Sequence, residues 1–440
     1  MFLIENTTEG GSYQWAIGDT IRLRGPATGL SFLSGGMRVL SKPSRRGFLA
    51  SGLALPAAGL TGQTLAAQTA GAKLTYRTLG KTGLKVTPLS FGCMTTSDAG
   101  VIEHAADMGI VHFDTARGYQ NGNNERMVGV VLKSRRKQVI ISTKTGARNP
   151  KEAIADLDTS LRELGTDYID IWYLHMRNDP AEVTDELLEV QRAAKKDGKI
   201  RFAGVSTHFN MDRMLPYLAK AGQTDVALTT YNFAMRSVAA GDNKNAEAPR
   251  TDMGSVIREA RRSGMGIVVM KSLAGGTSRV GRGDRLYGAN PEALTRQLSQ
   301  EGVPLAAIKW VLRNESVDTA IVGMTDHDQL LENFRAMSEP YTNRDEALLA
   351  AQTALIGPTY CRMCGACSGV CDKGVPVPDV LRFLTYAEGY GQFALARERF
   401  MEMPEETRAV RCSGCDSCSV ACPNGVRVRE RVSLAQKLFA

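Results

Sequence analysis

Val139-Ile140-Ile141-Ser142-Thr143-Lys144 opens on β-branched apolar residues and closes on hydroxyls and an amine, and Asn149-Pro150 follows five residues later. A continuous apolar run of this kind suits a strand buried on both faces, as in a parallel sheet. Asn before Pro marks a helix start, since the amide side chain caps free N–H groups and proline has no N–H to satisfy. The stretch is therefore a strand leading into a helix. Working outward, seven more runs have the same character: Leu89 to Cys93, Val111 to Asp114, Ile169 to His175, Ile200 to Ser206, Val226 to Thr230, Gly266 to Lys271 and Thr319 to Val322. Amphipathic stretches separate them, with Asn290-Pro291 opening one helix and Thr325-Asp326 capping the last. Eight such units in succession predict an α/β protein built as a closed (β/α)8 barrel. Gly80-Lys81-Thr82-Gly83, inside Tyr76 to Val86, predicts a hairpin over the barrel floor. Arg236 to Arg250, rich in Ala, Asn and Asp, reads as an inserted loop.

Barrels of this class work where their strands end, so polar residues closing an apolar run are the candidates. Asp114 ends the second run and Tyr119 lies in its loop; Lys144 ends the third and His175 the fourth. A carboxylate pairs the amine, and the positive charge is expected to depress the pKa of a nearby phenol, making it a usable proton donor. An imidazole beside it orients a carbonyl oxygen while a hydride reaches carbon. Singly, each residue has a plain structural explanation: a loop-capping Asp, a Lys reaching solvent, a satisfied His near the core. Together, Phe113-Asp114-Thr115-Ala116-Arg117-Gly118-Tyr119, Ser142-Thr143-Lys144-Thr145 and Tyr173-Leu174-His175 resemble the aldo-keto reductases, as does Tyr76-Arg77-Thr78-Leu79-Gly80. The resemblance runs from about residue 75 to 337 and implies a TIM barrel that interconverts carbonyls and alcohols. It implies Tyr119 as general acid or base, Lys144 and Asp114 as its tuning pair, and His175 as substrate orienter.

The same resemblance puts a nicotinamide cofactor at Ser206, Thr207, Lys271, Gly323, Gln329 and Asn333, and this part of the pattern is eroded. Leu228 stands where the family commonly has a glutamine for the nicotinamide amide, and Met270 where an aromatic ring stacks. Gly323 to Asn333 keeps the family's closing Glu332-Asn333 yet lacks the Lys and Arg that grip a 2′-phosphate. NADH, or a weakly held NADPH, remains one reading of the electron source.

The nine cysteines point to another. Cys93 stands alone and reads as small core packing. The other eight form two runs of one spacing, Cys361-x2-Cys364-x2-Cys367-x3-Cys371 and Cys412-x2-Cys415-x2-Cys418-x3-Cys422-Pro423. Gly374-Val375-Pro376-Val377 is echoed by Gly425-Val426-Arg427-Val428 at the same offset of 51, so the segment is an internal repeat. This is ferredoxin spacing, expected to hold two [4Fe–4S] clusters, the fourth cysteine of each run serving the other run's cluster. Structural zinc and disulfides are the alternatives, and the third and fourth cysteines of both runs favour iron. Asp372 departs from the proline that usually follows the fourth cysteine. Apolar residues at helical spacing between Pro378 and Met403, with Arg397 and Arg399 on the polar side, predict helices between the clusters.

The 440 residues, 43% hydrophobic, suffice for one large core with appendages. A net charge of +8 owes much to Arg22, Arg24, Arg38, Lys42, Arg45 and Arg46, and the remaining basic residues are interspersed with acids, which argues against a nucleic-acid surface. Ser44-Arg45-Arg46-Gly47-Phe48-Leu49, followed by a short apolar stretch and an Ala-rich region, resembles a twin-arginine export signal. The stretch from Phe48 to Leu60 is too short for a permanent membrane span. That route carries folded proteins, so cargo with inserted clusters crosses protected, whereas free thiols in an oxidising periplasm would form disulfides. The division expected is an arm over 1–72, a barrel over 73–340 and a small, mostly helical, ferredoxin-like dicluster domain over 341–440. Three functions fit: an exported carbonyl or alcohol oxidoreductase wired through its clusters, with a redox partner protein; an NAD(P)H-dependent reductase with structural or regulatory clusters; and a non-catalytic electron carrier.

Overall fold

The computed structural model describes residues 74–236, 238–239, 250–275 and 301–440. The N-terminal arm with its export motif, Asn290-Pro291 and the middle of the 236–250 insertion lie outside the described residues. β1 (Arg77–Thr78) and β2 (Lys85–Val86) form an antiparallel ribbon. β3 (Leu89–Gly92), β4 (His112–Asp114), β5 (Ile140–Thr145), β6 (Ile169–Leu174), β7 (Ile200–Thr207) and β8 (Val226–Thr230) run parallel in chain order. β9 (Val238–Ala239) and β10 (Arg250–Thr251) pair antiparallel, so the two ends of the expected loop make a ribbon. β11 (Gly266–Met270) and β12 (Thr319–Gly323) complete a closed barrel of eight parallel strands, with β12 returning to β3. All eight expected barrel strands form. His175 and Lys271, expected as strand ends, fall just past them; Lys271 turns away with a φ of 58°.

The outer helices follow their sequence signals. Asn149 accepts the Glu152 amide at 3.0 Å, Pro150 begins the helix Pro150–Leu164, and Gly165 ends it in the left-handed region with a φ of 61°. Its Ala153, Leu157, Ser160 and Leu164 recur at helical spacing and are buried. Asp326, the second residue of the expected cap, takes the Gln329 amide at 2.8 Å to start His327–Phe334. Inside the barrel, Leu79, Ile140, Ile171, Tyr173, Leu228, Val268 and Ile321 make a second apolar layer. Leu79 belongs to the β1–β2 ribbon, which therefore closes the barrel's N-terminal end as expected, Lys81 donating to the Gly264 carbonyl at 2.8 Å.

Beyond the barrel the chain is mostly helical: Asn343–Ile356, Val377–Tyr390, Phe393–Met401, Glu405–Ala409 and Val428–Phe439. Val380, Leu384, Ala396, Phe400, Val432 and Phe439 form an apolar core of their own. Barrel and helices nevertheless belong to one compact unit. Tyr360 and Met363 pack into the barrel's outer core, with Cys361 and Cys364 against it. Among the described residues no helix is long and apolar enough to cross a membrane.

Candidate active site

Residues two apart on a strand share a face. Along β4 this turns His112 and Asp114 into the barrel, while Phe113 joins the outer core; along β5, Ser142 and Lys144 face inward while Ile141 packs outward. The β4–β5 register sets Asp114 opposite Ser142. Lys144 donates to Asp114 and, at 2.6 Å, to the Thr115 carbonyl, and the ion pair is buried. Its ammonium lies 4.9 Å from the centre of the Tyr119 ring, which meets His175 edge-on with centroids 6.1 Å apart. The Tyr119 loop is pinned: Thr115 donates to Asn124 at 2.6 Å, Asn124 to the Cys93 carbonyl at 2.9 Å, and Gln120 to the Thr96 carbonyl at 2.7 Å. Cys93 itself is fully buried in the outer core. The four catalytic candidates thus meet in one place.

One expectation reverses. The amine does not depress the phenol's pKa: burial first, then the Asp114 carboxylate, push Tyr119 well above its ordinary value. The physical reason is that the Lys144 charge is spent on Asp114. Tyr119 therefore keeps its proton at neutral pH, the state required of an acid that protonates a carbonyl oxygen. Burial, followed by the charges of Lys144, Arg382 and Lys271, holds His175 well below its usual range, so its ring is neutral and has one N–H to offer.

Behind Asp114 runs a buried polar chain that sequence reasoning missed. Ser142 donates to Asp114 at 2.6 Å, His112 Nε2 lies 2.9 Å from the Ser142 oxygen, His112 Nδ1 3.1 Å from Ser90, and Ser90 2.6 Å from Thr319. Because Ser142 commits its proton to Asp114, His112 must carry its own on Nε2. The signal available was the period of two: His112 and Ser142 share the faces of Asp114 and Lys144.

The tetrad opens into a cavity of about 750 Å3. One wall is the strand-eight loop with Gly323, Gln329 and Asn333; the opposite wall is the C-terminal module, through Arg382, Phe383, Tyr386 and Tyr390 of Val377–Tyr390. Arg399 fastens this roof by donating to the Gly118 carbonyl at 3.4 Å. Of the expected nucleotide residues, Lys271, Gly323, Gln329 and Asn333 line the cavity, whereas Ser206 and Thr207 do not. Ser206 accepts the Met176 amide at 2.9 Å and Thr207 donates to the Phe209 carbonyl at 2.7 Å, so both hold loops. His208 lines the cavity instead, 2.8 Å from the Lys271 amine. Gln329 is occupied with Thr325 and Asp326, and the acids Asp326, Asp328 and Glu332 line that end, a poor place for a 2′-phosphate.

All nine cysteines are free thiols. Burial first, then Cys364 and Cys422, push Cys361 up to about 12; Cys367 is raised by burial and by Cys361, Cys364 and Cys422. Cys412 is raised to about 11 by burial and by Cys371, Cys415 and Cys418. The thiols therefore sort into two quartets, Cys361, Cys364, Cys367 and Cys422, and Cys412, Cys415, Cys418 and Cys371, each taking its last member from the other run. The runs are tied together: Asn424 donates to the Cys364 sulfur at 3.3 Å, and Ser419 both donates to the Val370 carbonyl and accepts the Asp372 amide at 3.3 Å. Proline at 372 would lack that amide, which accounts for Asp372. Among the described residues, no three His, Cys, Asp or Glu side chains converge closely enough to grip a single ion. A zinc ion draws four sulfurs to about 2.3 Å from one centre; a cuboidal cluster takes each thiolate on a separate iron. Eight thiols in two groups of four match in number the ligands of two [4Fe–4S] clusters.

A closed parallel barrel with carboxylate, amine, phenol and imidazole gathered at its strand ends defines the (β/α)8 class of oxidoreductases. The model of the Aldo/keto reductase family matches residues 93–351; the chain belongs to that family and is an oxidoreductase. It is 26% identical over 322 residues to L-glyceraldehyde 3-phosphate reductase of Escherichia coli K12, covering 60% of this chain and 88% of that one. It is 26% identical over 278 residues to the NADH-specific methylglyoxal reductase of the same organism, covering 55% and 82%. L-galactose dehydrogenase of Arabidopsis thaliana is 24% identical over 322 residues, covering 65% and 95%. Among solved structures, the holo form of an aldo-keto reductase from Bacillus halodurans aligns with a TM-score of 0.49 at 24% identity, covering 64% of this chain and 96% of that one.

Proposed function

We propose that this oxidoreductase interconverts a small carbonyl compound and its alcohol at Tyr119, and exchanges the electrons through two [4Fe–4S] clusters held by the two thiol quartets. In the reducing direction Tyr119 gives its proton to the carbonyl oxygen, His175 holds that oxygen by a neutral N–H, and the buried Lys144–Asp114 pair fixes the phenol's surroundings. In the oxidising direction the same proton returns to Tyr119. When bound, the clusters would supply two one-electron sites, which match the electrons of the conversion but not the hydrogen on carbon; that hydrogen would move as a hydride to or from a two-electron carrier of the nicotinamide class in the cavity, which the clusters would recharge. The observation carrying this reading is that the segment bearing Cys361, Cys364 and Cys367 is docked on the barrel: Cys361 and Cys364 pack against its outer core, and the neighbouring Tyr360 hydroxyl meets Asn232 at 2.9 Å. Twin-arginine export, from Ser44 to Leu49, agrees with it, because folded cargo keeps its clusters. A redox partner protein would then drain or feed them.

A second reading keeps NADH as reductant with structural clusters. It is favoured by the reach of the cavity to Gly323, Gln329 and Asn333. The experiment is electron paramagnetic resonance of anaerobically reduced protein with iron and zinc quantified, beside titration with NADH and NADPH. Two interacting cluster signals and weak nucleotide binding are expected; zinc without iron would end the cluster reading, and micromolar NADH binding would favour the second. Tyr119→Phe is expected to cut turnover about 10²- to 10⁴-fold; unchanged turnover would remove the phenol from the chemistry.

A further inference from the structure

Arg382 has no counterpart in the barrel repeat. It comes from Val377–Tyr390, where it interrupts a buried apolar run between Leu381 and Phe383, and is only 4% exposed. Its guanidinium donates to Asp379 at 2.7 Å and to the Tyr386 hydroxyl at 2.9 Å, while its Nε lacks a partner among the described residues. A buried N–H left unmatched is costly, and an arginine keeps its charge when buried. The side chain lines the catalytic cavity, with Lys271 and His208 on the same surface and the Lys271 amine 2.8 Å from His208. His175, 6.0 Å from His208 between ring centroids, is held below its usual range first by burial and then by the charges of Lys144, Arg382, Lys271 and Arg177. Asp114 is committed to Lys144, and the other acids lining the cavity are Asp326, Asp328, Glu332, Glu301 and Glu402 of its walls. The cavity wall thus brings two cations to one surface, Arg382 and Lys271, the first of them paired with Asp379.

We propose that Arg382, together with Lys271, is an anion-holding subsite, and that the substrate is a hydroxy or oxo compound bearing a carboxylate or a phosphate ester. The inference rests on the carbonyl–alcohol reading and narrows it. Arg382 and Lys271 bring a guanidinium and an amine to the cavity wall, and an anion held there sets its distance to the carbon facing Tyr119. Substrate choice is then made by the roof, and reaction chemistry by the barrel.

The test uses the holoprotein in two arms. In the first, lactate, glycerol 3-phosphate, ADP-ribose and the uncharged propane-1,2-diol and glycerol are titrated calorimetrically. One small anion should bind at least about tenfold more tightly than its uncharged counterpart; whether it is the carboxylate or the phosphate identifies the group. Arg382→Gln should shrink that advantage roughly 10- to 100-fold, and Arg382→Lys should restore part of it. In the second arm, the preference in kcat/KM for glyoxylate or glyceraldehyde 3-phosphate over glycolaldehyde should collapse in Arg382→Gln by a similar factor. Equal wild-type affinity for charged and uncharged members overturns the subsite, whether or not the variants fold. Binding of ADP-ribose alone, lost in Arg382→Gln, overturns the substrate assignment by giving the anion to a nucleotide. Anion selectivity without turnover of any carbonyl supports the subsite and removes the carbonyl reading instead.

Discussion

Asp114 accepts one hydrogen bond from Ser142 and another from Lys144, both in the barrel interior, so every partner in that group depends on the next. Lys144→Met leaves a lone buried carboxylate and is expected to cost about 3–5 kcal/mol of stability. Adding Asp114→Asn removes the stranded charge and should recover part of the loss in urea unfolding; a double variant as unstable as the single one would refute the pairing. His112 gives a pH dependence. Burial chiefly lowers its pKa from 6.5 to about 4. Between those values the unfolded chain binds a proton that the native state refuses, so stability falls as pH drops from about 6.5 towards 4. This group alone should make the protein about 2 kcal/mol less stable at pH 5 than at pH 7. Comparing wild type with His112→Gln isolates it: identical loss in both would assign the acid sensitivity elsewhere.

At the level of elements, the floor ribbon meets the barrel through backbone. Gly80 has a φ of 52°, and a Cβ there would stand 2.3 Å from the Gly266 nitrogen at the start of β11. Gly80→Ala cannot be relieved by a rotamer change and is expected to lower stability by several kcal/mol, about 1 of it from the left-handed backbone; a melting temperature within a degree of wild type would show that the ribbon moves freely. Strands and helix starts were legible because they rest on local signals, such as the apolar run from Val139 and the Asn149-Pro150 cap. Asp114, Lys144 and His175 were legible as polar ends of apolar runs, and Tyr119 through the loop string that resembles the family. The loop bonds of Ser206 and Thr207 were not legible, because sequence gives a residue's place on a strand but not which loop group its hydroxyl will meet. Arg382 was illegible for the same reason: an arginine among apolar residues reads as helix surface until another element covers it.

The proposed clusters would each take their fourth cysteine from the other run, and paired substitutions test this. Cys361→Ala with Cys422→Ala touches one quartet although the residues lie in different runs; Cys361→Ala with Cys371→Ala touches both although they share a run. The first pair should retain roughly four irons per chain and the second almost none. Equal iron content in the two would contradict the exchange. The pattern within each run was readable from spacing, whereas the docking of Cys361 and Cys364 on the barrel was not, since it depends on Tyr360 reaching Asn232, 128 residues earlier. That long reach also orders the molecule in time. The ribosome makes β12 before it makes Val377–Tyr390, so a nascent barrel holds its phenol and imidazole without the helix that later walls the cavity. Under the proposed anion subsite, discrimination between guests begins only when Val377–Tyr390 has docked on the barrel and brought Arg382 to the cavity.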